Sequence, residues 1–190
     1  MKKGIKTIAL VLIISILAAV MTACGNNENA TNSEAAKDGL KIAIVTSPSG
    51  VDDGNFNEDN YNGILKFIEN VSNATVKAIR EETGDPAAAV QAVADIVADY
   101  DVIITPGFQF AGISSLALEN PDKKFIINDS EPTPVGDQTE FDNIYSMLFA
   151  EQESGFFAGL AAALDTKTNK VAVVNGIAYP SNVNYQFGFE

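Results

Sequence analysis

From Leu40 onward the chain alternates short β-branched runs with segments whose apolar residues recur at helical spacing, and this alternation restricts the fold more than any other feature. Leu40 to Thr46 (LKIAIVT), Thr75 to Ile79, Asp101 to Thr105 (DVIIT), Lys124 to Asn128 (KFIIN), Ile144 to Phe149 and Lys170 to Asn175 (KVAVVN) read as six strands. Tyr61, Ile64, Leu65 and Ile68 mark a helix from Asn57 onward. Asp85-Pro86 supplies an N-cap and a proline at the first helical position, ahead of Val90, Val93, Ala94 and Val97 on one face. Ile113 to Leu118 reads as a short helix and Glu151 to Leu164 as an amphipathic one with acids at its start. Parallel strands need crossovers, and right-handed crossovers cover both sides of a sheet. The expected class is therefore α/β, a doubly wound parallel sheet.

In such sheets ligands bind outside the carboxyl ends of the strands. The loops to examine are Thr46 to Asn57, Thr105 to Phe110, Asn128 to Glu131 and Asn175 to Pro180, all containing Gly, Pro, Asn, Asp or aromatic residues. That composition suits backbone approach, hydrogen bonding and stacking on a small polar ligand. No GxGxxG follows the first strand and no GxxxxGK[ST] occurs anywhere, so dinucleotide and nucleoside triphosphate binding lack support. Asp53, Asn55, Asn57 and Asp59 alternate as in the first half of a calcium loop. Glu58 then stands where glycine is required and Ile64 where glutamate is required, so no metal is expected. Asp52 and Asp53 read mainly as turn residues.

Charge and residue usage remove further chemistry. The chain has 12 Lys+Arg against 25 Asp+Glu, a surface that repels phosphate backbones, so nucleic acid is not an expected partner. It has no histidine and one cysteine. Ser-His-Asp and Cys-His catalysis, histidine metal ligation, thiolate clusters and an intramolecular disulfide are excluded with them.

The amino terminus reads as an export signal. Lys2, Lys3 and Lys6 precede an apolar run from Ile8 to Val20 broken only by Ser15, and Met21-Thr22-Ala23-Cys24 follows. Thirteen residues rise only about 20 Å as a helix, short of a bilayer core of roughly 30 Å. The pattern resembles a bacterial lipobox, with Met21 where leucine is usual, and makes Cys24 the expected lipidated residue. Residues 1–23 are then a signal peptide, and 24–38, polar and rich in asparagine, a flexible tether. Its length allows a reach of about 45 to 50 Å. Residues 39–169 are expected to form one lobe and 170–190 to begin a second.

The runs IVTSPSGVDDGNFNEDNYNGI, ITPGF, NPDKKFIINDS, DNIYSMLFAEQESGFFAGLAAAL and KVAVVNG, in this order and spacing, resemble the basic membrane lipoprotein family, the purine-nucleoside type of ABC-transporter substrate-binding protein. The likeness covers residues 40–190. It implies the first lobe of a type I periplasmic-binding-protein fold, with ligand clamped between lobes and no chemistry or cofactor. It implies Phe56 as an aromatic face for a nucleobase, with Asn57 beside it. It implies Asp129 as acceptor for a sugar hydroxyl, and Gly107, Phe108 and Gly176 as loop positions of the pocket. Ser47 stands where the family often has aspartate, and Tyr185 where it has phenylalanine, which keeps a stacking face and adds a hydroxyl. The implied partners are a nucleoside and an ABC permease. The implied state is a monomer, extracytoplasmic and lipid-anchored to the bacterial cell membrane. Family members continue well past residue 190, so the chain reads as truncated. Two readings from other classes are a nucleoside or sugar hydrolase using Asp52, Asp53 and Asp129 as carboxylates, and a surface interaction lipoprotein without a small ligand.

Overall fold

The computed structural model describes residues 39–190; the expected export signal and tether, with Cys24, lie outside the described residues. Five strands, β1 (Lys41–Thr46), β2 (Thr75–Arg80), β3 (Val102–Pro106), β4 (Lys124–Asn128) and β5 (Ile144–Met147), form one sheet in the order β2-β1-β3-β4-β5. All four ladders are parallel, with Ile42 opposite Val76 and Val102, Ile104 opposite Ile126, and Ile126 opposite Tyr145. The chain leaves β1 toward β2 and then crosses back past β1 to β3. The order therefore reverses between β1 and β3, the position at which doubly wound sheets commonly bind ligands.

Five helices accompany the sheet: α1 (Phe56–Glu69), α2 (Pro86–Ala94), α3 (Ser114–Glu119), α4 (Glu151–Asp165) and α5 (Pro180–Phe189). Strand alternation sends side chains to both faces, and each face has its own apolar cluster. Val45, Ile103, Phe125 and Ile127 pack with Ala89 and Val93 of α2 and with Phe110 and Ile113 of the turn before α3. On the opposite face Ile42 and Ile44 pack with Ile64 of α1. Burying each such side chain contributes about 1.5 to 3 kcal/mol, and two-sided burial is why these strands read as nearly continuous apolar runs. The Asp85 carboxylate caps α2 by accepting from Ala87 N–H at 2.9 Å and Ala88 N–H at 3.0 Å, with Pro86 at the helix start. The Asn143 amide donates to the carbonyls of Ala117, Asn120 and Lys123 and so ties the entry of β5 to the α3–β4 turn.

Lys170 to Asn175 forms no strand, contrary to the sequence expectation. Its β-branched composition suits a strand, but a strand exists only where a neighbour supplies a hydrogen-bonding edge, and Val174 stands 94% exposed. Helix α4 packs chiefly against α5 rather than the sheet. Its Gly155 and Gly159, one turn apart, bring the backbones together. A Cβ at Gly155 would collide with the Tyr185 carbonyl oxygen, one at Gly159 with that of Phe189, and one at Gly188 with that of Gln152. Phe156, Phe157, Leu160 and Leu164 of α4 are exposed.

Candidate functional site

At the end of β1 the chain turns through Ser47 to Asn55 into α1. Gly50 closes this turn at φ 75°, a left-handed conformation open to glycine, with its N–H donating to the Ser47 carbonyl at 3.1 Å. Asn55 occupies the N-cap position without a side-chain bond. Asp53 caps the helix instead. Its carboxylate accepts from the N–H groups of Asn55 (3.0 Å), Glu58 (3.1 Å) and Asn57 (3.3 Å), and from the Asn57 side-chain amide at 3.0 Å. Partial burial pulls the Asp53 carboxyl upward. The N–H groups of Glu58, Asn55 and Asn57 and the Asn57 amide outweigh that pull and hold it below the usual carboxylate range.

The Asn57 amide also donates to Ser47 Oγ at 3.0 Å. An amide nitrogen has two protons, so buried Asn57 spends both inside the protein and braces the loop. Ser47 accepts in this pair and keeps its hydroxyl proton for another acceptor. Phe56 begins α1 and is half-buried.

After β3, Gly107 sits at φ 105° with its N–H donating to the Asn128 carbonyl at 2.9 Å. The end of the Gln109 side chain lies where a Cβ on Gly107 would stand. Phe108 is 42% exposed, and its ring stacks on Tyr179 with centroids 4.6 Å apart and planes tilted by 44°. Tyr179 also bonds to Ser130 Oγ at 2.9 Å. Because Ser130 donates its one proton to the Glu131 carbonyl at 3.1 Å, Tyr179 is the donor in this bond. Stacking and hydroxyl together hold the segment before α5 over the ends of β3 and β4.

Beyond β4, Asp129 adopts φ 60° while its N–H still donates to the Met147 carbonyl at 2.8 Å. A left-handed conformation costs a residue with a Cβ about 1 to 2 kcal/mol and takes the carboxylate out of the strand's alternation. Burial, and then the negative charge of Glu151, push the Asp129 carboxyl above its usual range. Asp129 and Glu151 line two adjoining cavities of about 400 Å³ each. One is walled by Ser130, Glu131, Phe149 and Tyr179, the other by Asn175, Gly176, Asn182 and Tyr185. No Lys or Arg lines either.

Of the residues singled out by sequence, the structure brings Asp129, Gly176 and Tyr185 into one cavity, and Phe108 reaches the other through Tyr179. Ser47 and Asn57 pair with each other at the β1 end, and neither they nor Phe56 and Gly107 line either cavity. Sequence reasoning missed Ser130, Tyr179 and Glu151. Ser130 follows Asp129 in an already selected loop, and Glu151 was visible only as an acid opening a helix. The three hydrolase carboxylates do not converge. Asp53 is engaged by four donors, and Asp52 lines a separate small cleft with Thr46 and Arg80.

A profile described as "Bmp: ABC transporter substrate-binding protein PnrA-like" matches residues 15–190. The chain belongs to the Bmp family. Among its relatives, the "ABC transporter nucleoside-binding protein BmpA" of Lactococcus lactis subsp. cremoris is 28% identical over 198 residues, covering 100% of this chain and 52% of that protein. A "CD4+ T-cell-stimulating antigen" of Listeria innocua is 29% identical, covering 100% and 53%. The chain spans about half the length of these curated relatives. An ABC transporter solute-binding protein from Aeropyrum pernix K1 superimposes with a TM-score of 0.64 at 21% identity, covering 79% of this Bmp chain and 41% of the other. At that identity the likeness concerns the fold, an α/β parallel sheet flanked by helices.

Proposed function

We propose that this Bmp chain belongs to an extracytoplasmic substrate-binding protein that captures a nucleoside, purine for preference, and hands it to an ABC permease without altering it. The observation that carries the reading is the Asp129 carboxylate. It accepts no hydrogen bond among the described residues, faces cavities of about 400 Å³, within the size range of small-ligand sites, and has no cation beside it. Such a carboxylate accepts from hydroxyl donors of an uncharged ligand, each bond worth about 1.5 to 3 kcal/mol. Tyr185 and the Phe108–Tyr179 pair offer aromatic faces for a base, and stacking tolerates any base identity. The nucleoside-binding name of the Lactococcus relative supports the same class.

In this reading the sheet belongs to one lobe, and the packing of α4 against α5 supports a start of the second lobe at α4 rather than at residue 170, where the sequence expectation put it. The ligand sits where the two meet, and Cys24 carries the lipid that anchors a monomer to the membrane. Titration calorimetry of adenosine, guanosine and inosine into the chain tests the proposal. Asp129→Ala is expected to weaken binding by roughly 2 kcal/mol, about 30-fold. No heat from any nucleoside, or equal affinity in the variant, overturns it. Chromatography of the recovered ligand separates binding from hydrolysis, since unchanged nucleoside is the expected result.

A further inference from the structure

Glu151 is the first residue of α4, and it lines both cavities alongside Asp129. Two features fix it there. The free N–H groups of the first helical turn favour a negative charge at this position, and the Asn184 amide of α5 donates to Glu151 Oε2 at 3.2 Å. One amide proton occupies one of about four acceptor positions on a carboxylate, so the remainder are open to the cavities. Asp129 approaches from the opposite element, the end of β4, and the two groups are close enough that the charge of Glu151 weighs on the Asp129 carboxyl.

The other titratable groups on these walls are Glu131, Tyr179 and Tyr185. None is a cation, and the ion pairs among the described residues, Arg80–Glu82, Lys123–Asp122 and Lys167–Asp165, lie elsewhere. Two carboxylates facing one space without a counter-charge repel each other unless something between them donates protons in hydrogen bonds. A ligand with one hydroxyl satisfies one carboxylate and leaves the other unpartnered. A ligand with two neighbouring hydroxyls satisfies both, and one carrying a phosphate adds a third negative charge.

We infer that Glu151 is a specificity-determining residue of the site, a second hydroxyl acceptor that with Asp129 selects an uncharged ligand bearing a vicinal diol over its deoxy counterpart. The inference rests on the nucleoside reading above and goes further in naming the residue and the feature it reads. A neutral acceptor is weaker than a charged one, so Glu151→Gln retains the side-chain volume and removes much of the selectivity.

The test is calorimetric titration of the full chain with adenosine, 2′-deoxyadenosine, 3′-deoxyadenosine and adenosine 5′-monophosphate. The wild type is expected to favour adenosine over either deoxy compound by about tenfold or more and to reject the monophosphate. Glu151→Gln should narrow the ribose-to-deoxyribose ratio by about fivefold, mostly through weaker adenosine binding. Asn184→Ala, which frees Glu151 without changing charge, should narrow it in the same direction and serves if the Gln variant does not fold. A purely structural role for Glu151 lowers affinity for all ligands alike and leaves the ratio unmoved, and that result overturns the inference while nucleoside binding stands. Failure of the wild type to bind any nucleoside overturns both.

Discussion

Adding one methyl group to α4 should destabilise the protein where helix chemistry alone says it should help. In an exposed helix, Gly→Ala gains up to about 1 kcal/mol from reduced backbone entropy. At Gly155 and Gly159 the new Cβ meets the carbonyl oxygens of Tyr185 and Phe189, which are backbone atoms that cannot rotate away. The helices must separate, and overpacking of this kind costs about 1 to 3 kcal/mol. Setting that cost against the helical gain leaves a net loss of up to about 2 kcal/mol per site. For a chain of this size each 1 kcal/mol shifts Tm by about 2 to 4 °C. Gly63 in α1 is the matched control, because a Cβ there meets nothing within 4 Å. Thermal unfolding followed by circular dichroism should place Gly155→Ala and Gly159→Ala below the wild type and Gly63→Ala above it. Separation of α4 from α5 also moves Asn184 away from Glu151, so nucleoside affinity should fall in the first two variants and hold in the third. If all three substitutions stabilise equally, the helix contact drawn here is wrong.

Asp53→Ala removes the cap of α1 and should cost about 1 to 2 kcal/mol in urea unfolding at pH 7. Because the folded carboxyl titrates below its ordinary value of 3.8, its contribution is present above that pH and disappears as pH falls through the folded value, so the variant and wild type should converge in strong acid. Asp129→Asn has the opposite sign. A carboxyl raised in the folded state opposes folding once ionised, so the substitution should raise Tm at pH 7 and raise it less at pH 3, where both states hold the proton. Cys24→Ser should move the protein from the membrane fraction to the soluble fraction of a bacterial host, as read by immunoblot of the separated fractions, and unchanged partitioning would refute lipid anchoring at that residue.

Strands β1 to β5 were legible because each is a β-branched run bounded by Gly, Pro, Asn or Asp, which is local information. The α2 start was legible for the same reason, as Asp85 and Pro86 cap what they immediately precede. Lys170 to Asn175 carries an equally good strand pattern, but pairing depends on a distant partner that no local pattern reports. Asp129 could be found from the rule that ligands meet strand ends, and Asp53 from turn chemistry. Asn57 was selected because its amide is polar and well placed, while the engagement of its amide protons by Ser47 and Asp53 appears only in three dimensions. Tyr179 and Glu151 join the site through the packing of separate elements onto the β4 loop. Tyr179 lay in a selected strand-end loop without being singled out, and nothing in the neighbourhood of Glu151 distinguishes it from an ordinary helix-start acid.

The bare face of α4 sets how this molecule behaves in solution. Phe156, Phe157, Leu160 and Leu164 offer a self-adhesive surface on a body whose residues 39–190 include 8 basic and 22 acidic side chains. Mutual repulsion between such bodies reaches about 30 Å at 0.01 M ionic strength but only about 3 Å at 1 M. Dilute buffer should keep the particles dispersed, while concentrated salt both shortens the repulsion and leaves the aromatic patches free to meet. Salt, usually added to quiet non-specific association, should provoke clustering of this chain, and light scattering across a sodium chloride series would trace the onset.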